Sequence, residues 1–173
     1  LGISIVFQEF NLCNDLDVAN NIFIGRIKNR YGITDDKWLY SETQKVLDQL
    51  KLSVNPRAKV RSLSLAEKQM VEIAKAVSTN AKVIVFDEPT SALTDREIER
   101  LFEIIGILKE NGCGIFYISH RMEELEQIAD RVTVLRDGKH IATMPFQDVS
   151  MDKLIAMMVG RALTDKFPVH KRN

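Results

Sequence analysis

The chain has 173 residues, with 24 lysines and arginines against 24 aspartates and glutamates. That length fits one domain of ordinary size, able to bury roughly 70% of the surface of its unfolded chain, and the balanced charge lacks the basic excess of a nucleic-acid binder. No apolar stretch approaches the roughly 18 residues of a membrane span, and no basic-then-apolar signal opens the chain.

Residues 3–7 form a short apolar strand, followed by Gln8 and a polar, turn-prone stretch that contains Cys13. Cys13 and Cys113 share no metal-ligand spacing with each other or with the three histidines, so they read as reduced, buried thiols in a cytosolic setting, without zinc. Residues 18–24 and 36–52 carry helical spacing, the second with Trp38, Leu39, Val46, Leu47 and Leu50 on an intermittent apolar face. Residues 53–62, with Asn55-Pro56 and several basic side chains, read as a loop. A strong helix starts at Ser64, with Ala66, Met70, Ile73, Ala74 and Val77 on one stripe.

Residues 83–86 read as a buried strand closing in Asp87-Glu88-Pro89. Thr94 opens a long helix through Ile98, Leu101, Phe102, Ile105 and Leu108, which Asn111-Gly112 ends. Residues 114–119 read as a second buried strand, lying beside the first and ending at His120; a short helix then leads into Asp130. Residues 131–136 and 139–144 flank Asp137-Gly138, a hairpin signal because both turn residues accept positive φ. A last helix over 151–159 ends at Gly160, before a polar tail containing Phe167-Pro168. Strands separated by helices predict an α/β fold around a parallel sheet, with the hairpin as its antiparallel appendix.

Four places carry candidate chemistry. Asp87 and Glu88 are adjacent carboxylates at a strand tip, where alternation would turn one toward a metal shell and the other toward an attacking water; taken in isolation, Asp-Glu-Pro is more often a solvated start to a turn at the proline. In Leu63-Ser64-Leu65-Ala66-Glu67, Ser64 and Glu67 have capping-box spacing, and the same helix start offers free amides and a dipole to a phosphate. His120, in Ser119-His120-Arg121, can donate to a phosphoryl group or hold a base in place. Gln8 can touch a metal or a water through its amide.

Taken in order, these features resemble the nucleotide-binding domain of ABC transporters over nearly the whole chain. Gln8 matches the Q-loop glutamine, residues 63–67 the signature, residues 83–88 the Walker B strand, residues 91–94 the D-loop and His120 the switch histidine. Residues 64–76 (Ser-Leu-Ala-Glu-Lys-Gln-Met-Val-Glu-Ile-Ala-Lys-Ala), together with Asp-Glu-Pro-Thr-Ser-Ala-Leu-Thr and Ile-Ser-His-Arg-Met-Glu-Glu, are similar to the first of two fused cassettes in bacterial monosaccharide importers of the ribose and galactose type. Met158-Val159-Gly160-Arg161 and Leu163-Thr164-Asp165 resemble the linker toward the second cassette.

The resemblance implies a P-loop NTPase-like sheet with residues 1–8 as a core strand, 9–80 as a helical subdomain, 81–145 as catalytic core and 146–173 as C-terminal helix and linker. It implies ATP and Mg2+ as ligands, with Asp87 and Gln8 at the metal, Glu88 polarising the water, His120 at the γ-phosphate, and Ser64, Leu65, Ala66 and Glu67 facing ATP held by an opposing cassette. Implied partners are membrane permease subunits, a second cassette and, indirectly, a periplasmic or extracellular sugar-binding protein, at the cytoplasmic face of the membrane. Leu65 and Ala66 stand where the family signature carries two glycines, and Leu65 adds bulk where a phosphate comes close.

No Gly-x-x-x-x-Gly-Lys-Ser/Thr occurs among the eight glycines. The chain also begins at Leu1, in a strand-like run. The expectation is a fragment whose phosphate loop lies upstream and which alone binds ATP poorly. Alternative readings are a non-hydrolysing regulatory cassette or a non-transport ABC ATPase. Only about 55 residues separate Gln8 from the signature, too few for the coiled-coil insertion of a DNA-repair ATPase.

Overall fold

The computed structural model describes residues 2–30 and 33–160. They fall into two compact units, one through His120 and the other from Arg121. The first is built on a three-stranded parallel sheet in the order β1-β4-β5: β1 (Ile3–Val6), β4 (Val83–Asp87) and β5 (Gly114–Ile118). Ile3 lies opposite Val83 and Val6 opposite Phe86, while Val83 pairs with Gly114 and Asp87 with Ile118. All three strands therefore end on the same edge, and their neighbours in sequence are Gln8, Glu88 and His120.

Helices cover one face of this sheet. On that face Val6, Ile84 and Phe86 are fully buried, joined by Leu101, Ile104, Ile105 and Leu108 of α4 (Asp95–Glu110). Phe86 stacks obliquely on Tyr117 at 6.3 Å, and Phe102 meets Tyr117 edge-on. The 3.6-residue spacing brings α4's apolar side chains onto a single stripe, the reason it packs on a flat sheet. A second cluster joins α1 (Val18–Ile22), α2 (Asp36–Gln49) and α3 (Leu65–Val77), through Val18, Ala19 and Ile22, Leu39, Leu47 and Leu50, and Met70, Val71, Ile73 and Ala74.

The other sheet face is apolar and open. Ile3 is 61% exposed, Phe116 65%, and Ile5, Phe7 and Ile118 are all exposed. The sequence-based expectation of a buried β5 is thus corrected: its residues are apolar, but among the described residues nothing lies over Phe116 and Ile118. Parallel sheets are ordinarily covered on both faces. Residues 25–35, without an expectation from sequence, contain a short antiparallel pair, β2 (Asn29–Arg30) with β3 (Ile33–Thr34).

Helix starts follow their capping residues. Ser64 Oγ accepts from the Glu67 amide at 3.2 Å, while the Ser64 amide donates to Glu67 Oε2 at 2.8 Å. At the head of α4 the Thr94 amide likewise donates to Glu97 Oε2 at 2.8 Å, but there the Thr94 hydroxyl donates to the same oxygen at 2.8 Å, and the two bonds hold the exposed Glu97 carboxyl below its usual range. Ser64→Ala is expected to cost about 1 kcal/mol, read as a lowered urea midpoint with an unchanged m-value.

The second unit comprises α5 (Met122–Ile128), β6 (Arg131–Arg136), β7 (Lys139–Pro145) and α6 (Met151–Val159). β6 and β7 form a two-stranded sheet of their own, with a register shift at Val134/Leu135, rather than an appendix of the parallel sheet. Asp137 (φ 51°) and Gly138 (φ 72°) make the expected turn. Gly160 ends α6 at φ 81°, where a Cβ would come within 2.6 Å of Arg136 Nη1, the group donating to the Met157 carbonyl. The linker-like residues 161–173 lie outside the described residues.

Candidate functional site

The edge where the parallel strands end gathers four of the predicted residues. Asp87 is the last residue of β4, on the open face with Val83 and Val85. Glu88 then leaves the strand with φ 45°, a left-handed conformation uncommon for a residue with a Cβ. Its amide still donates to the Ile118 carbonyl at 3.0 Å, extending the ladder by one bond. The divergence of the two carboxylates therefore begins at a backbone kink and not in the strand alternation expected from sequence. After the kink, Glu88 Oε1 lies 3.1 Å from His120 Nδ1. The imidazole is 71% exposed and the carboxylate about one-third exposed, so both are open to a ligand arriving at the edge.

Gln8 is exposed, two residues beyond Val6 and so at the same edge as Glu88. Ser64, Leu65, Ala66 and Glu67 lie elsewhere in the chain, at the head of α3. There the Ser64 cap closes on Glu67, and the Leu65 side chain projects outward, 54% exposed. Of the eight predicted positions, Glu88 and His120 meet side chain to side chain and Ser64 and Glu67 meet through their reciprocal cap; Gln8 and Asp87 share the edge of the first pair, and the signature group is a separate patch.

Cys13 is exposed and Cys113 half-buried, correcting the expectation of two buried thiols. Cys13 lies on a polar loop, its backbone amide and carbonyl both bonded to the Asn21 side chain. Burial holds the Cys113 thiol above its usual pKa. Sequence reasoning also passed over Asn21, Glu72 and Lys75, which bind the loop after Gln8. The available signal was a polar pair, Gln69 and Glu72, placed three residues apart on an otherwise apolar helix stripe.

Residues 1–91, more than half of the chain, match the family model described as ABC transporter. The chain belongs to the ABC transporter family. Its sequence is 52% identical over 167 residues to the galactose/methyl galactoside import ATP-binding protein MglA of Escherichia coli (strain K12), covering 96% of this chain and 33% of that protein. Against MglA of Salmonella typhimurium (strain LT2) the identity is 50% with the same coverage. The chain thus spans about a third of the length of the curated relatives it matches.

Solved ABC cassettes share the fold. A nucleotide-free ATP-binding cassette from an ABC transporter superposes with a TM-score of 0.71 at 26% identity, covering 83% of this chain and 61% of that one. The ADP conformation of the cassette MJ1267 gives 0.74 at 26% identity, covering 92% and 69%. Both are α/β cassettes, as the alternation of strands and helices predicted.

Proposed function

We propose that this chain is part of the ATP-binding, ATP-hydrolysing subunit of an importer for a monosaccharide, working at the cytoplasmic face of a membrane with permease subunits, a second cassette and, indirectly, a sugar-binding protein. The observation that carries the reading is the 3.1 Å approach of Glu88 Oε1 to His120 Nδ1 beside the ends of three parallel strands. Similarity to proteins named for galactose and methyl galactoside import supports a sugar as cargo. Among the described residues no helix is long and apolar enough to cross a membrane.

The donor set suits the proposed ligand. Mg2+ takes hard oxygens and is commonly held by one or two protein groups plus phosphates and water; Asp87 and the Gln8 amide supply such oxygens, and among the described residues no larger acidic cluster competes. Bound MgATP supplies the phosphoanhydride to be cleaved. Glu88 directs Oε1 at His120, which leaves Oε2 to accept a proton from water. His120 in its imidazolium form donates through Nδ1 to Glu88 and has the Nε2 proton left to donate to a phosphoryl oxygen. Ser64 and the amides opening α3 serve the nucleotide of the opposing cassette, where the bulk of Leu65 narrows the approach.

The test uses the full-length protein with its permease partner in vesicles. Sugar uptake is expected to require ATP, and His120→Ala to lower turnover roughly 10- to 100-fold, the range of one hydrogen bond to a charged group at about 1.5–3 kcal/mol. Uptake that proceeds without ATP would overturn the assignment.

A further inference from the structure

The second unit has a thin core. Among its described apolar residues only Val134 of β6 and Leu154 of α6 are buried, and α6 packs on β6. The same unit holds five of the chain's six methionines, Met122, Met144, Met151, Met157 and Met158. The sixth, Met70 of α3, is 6% exposed, whereas Met122, Met144, Met151 and Met157 are half-buried and Met158 is exposed. Thioether sulfurs within reach of solvent are thus concentrated in a unit that has two buried apolar residues.

Helical spacing sets three of these sulfurs around the anchor of α6. Met151 precedes Leu154 by three residues, and Met157 and Met158 follow it by three and four, the separations at which side chains are neighbours on a helix. Met158 opens to solvent, with Val159 beyond it, which leaves Met151 and Met157 as the half-buried margin of the anchor. The Met157 carbonyl also accepts from Arg136 Nη1 of β6 at 3.0 Å, so that residue stands at both attachments of the helix. A thioether is a soft, apolar filler suited to such a margin, whereas its sulfoxide is polar.

We propose that Met151 and Met157 are modification sites for a hydroperoxide, and that their sulfoxides release α6 from β6. A sulfur lone pair attacks one peroxide oxygen, and the S–O bond forms as the O–O bond breaks. The proton of the transferred oxygen passes to the departing one, which leaves as water from hydrogen peroxide. The sulfur gives up two electrons and the peroxide takes them. The product carries a polar oxygen beside Leu154, where burial without a hydrogen-bond partner is unfavourable, so the margin opens to water. A sulfoxide reductase reverses the change. This release is independent of the ATPase reading.

The test treats the full 173-residue chain with hydrogen peroxide and then with dithiothreitol, which returns an oxidised Cys13 to the thiol and leaves sulfoxides in place. Peptide mass spectrometry locates the added oxygens, and hydrogen exchange compares the α6 peptide with that of α4. Sulfoxides are expected at Met151 and Met157 and not at Met70, with exchange of α6 about tenfold faster and that of α4 unchanged. The double variant Met151→Leu with Met157→Leu, close in volume to the wild type, is expected to exchange like it before peroxide and to keep that rate afterwards. Met158→Leu is expected to respond to peroxide as the wild type does, because its sulfur lies outside the packed margin. Oxidation of Met158 that leaves Met151 and Met157 as thioethers overturns the sites. Sulfoxides at both with unchanged α6 exchange overturn the release, and so does a double variant whose α6 quickens as much as the wild type's. The wild-type readouts decide the release even where a variant folds poorly.

Discussion

Glu88→Gln in the full-length protein is expected to lower ATP turnover by about 100- to 1000-fold while nucleotide affinity stays within about twofold of wild type. Glutamine keeps the length and shape of the side chain and an oxygen within reach of His120, and it places no new demand on the backbone. What it loses is the ability to take a proton, a function for which general bases contribute about 10²- to 10⁴-fold, or roughly 2.7–5.4 kcal/mol of barrier. Binding is untouched in the proposed arrangement because Glu88 faces water and His120 and not the nucleotide's anionic groups. The check is single-turnover hydrolysis beside equilibrium binding of a fluorescent ATP analogue. Turnover within threefold of wild type would remove Glu88 from the role of base, and a collapse of binding would make it a ligand-holding group instead.

Phe86→Ala is expected to destabilise the protein by about 3–5 kcal/mol, whereas Phe116→Ala changes stability by less than about 0.5 kcal/mol. The two phenylalanines sit on adjacent paired strands and have the same area to offer, but they face opposite sides of the sheet. Phe86 is fully buried against Tyr117 and the helices, so truncation loses its transfer free energy and opens a cavity; Phe116 is 65% exposed and has little burial to lose. Against a total stability of about 5–15 kcal/mol, the first change removes a large share. Urea denaturation of the 173-residue chain followed by circular dichroism measures both. Equal losses would mean that the open face is packed in solution.

Much of this fold was legible because its periods are strong. The stripes of α3 and α4, the boundaries set by Ser64, Thr94 and Gly160, and the Asp137-Gly138 turn all follow from local rules that tertiary contacts did not override. The pairing of β5 beside β4 was also readable, from two apolar runs joined by a helix. Burial of β5 was not, because an apolar strand declares what it can bury and not whether a neighbour arrives to cover it. The β2–β3 pair was too short for a period to emerge.

At the candidate site, Glu88 and His120 were nameable from motif order, but their contact depends on a positive φ at a glutamate, which no residue preference announces. The residues that bind the loop after Gln8 were hidden for a different reason. Lys75 and Asn21 look like ordinary helical polar residues until the loop they bind, more than sixty positions away for Lys75 and eight for Asn21, is folded against them.

The left-handed backbone at Glu88 separates two kinds of work in time. A carboxylate on a freely rotating linker would have to be immobilised anew in each cycle, and that loss of freedom would add to every barrier. In the proposed role the backbone share of that aiming is completed once, when β4 and β5 zip together and the ladder bond to Ile118 closes, so that part of the expense falls on conformational stability and not on the proposed reaction.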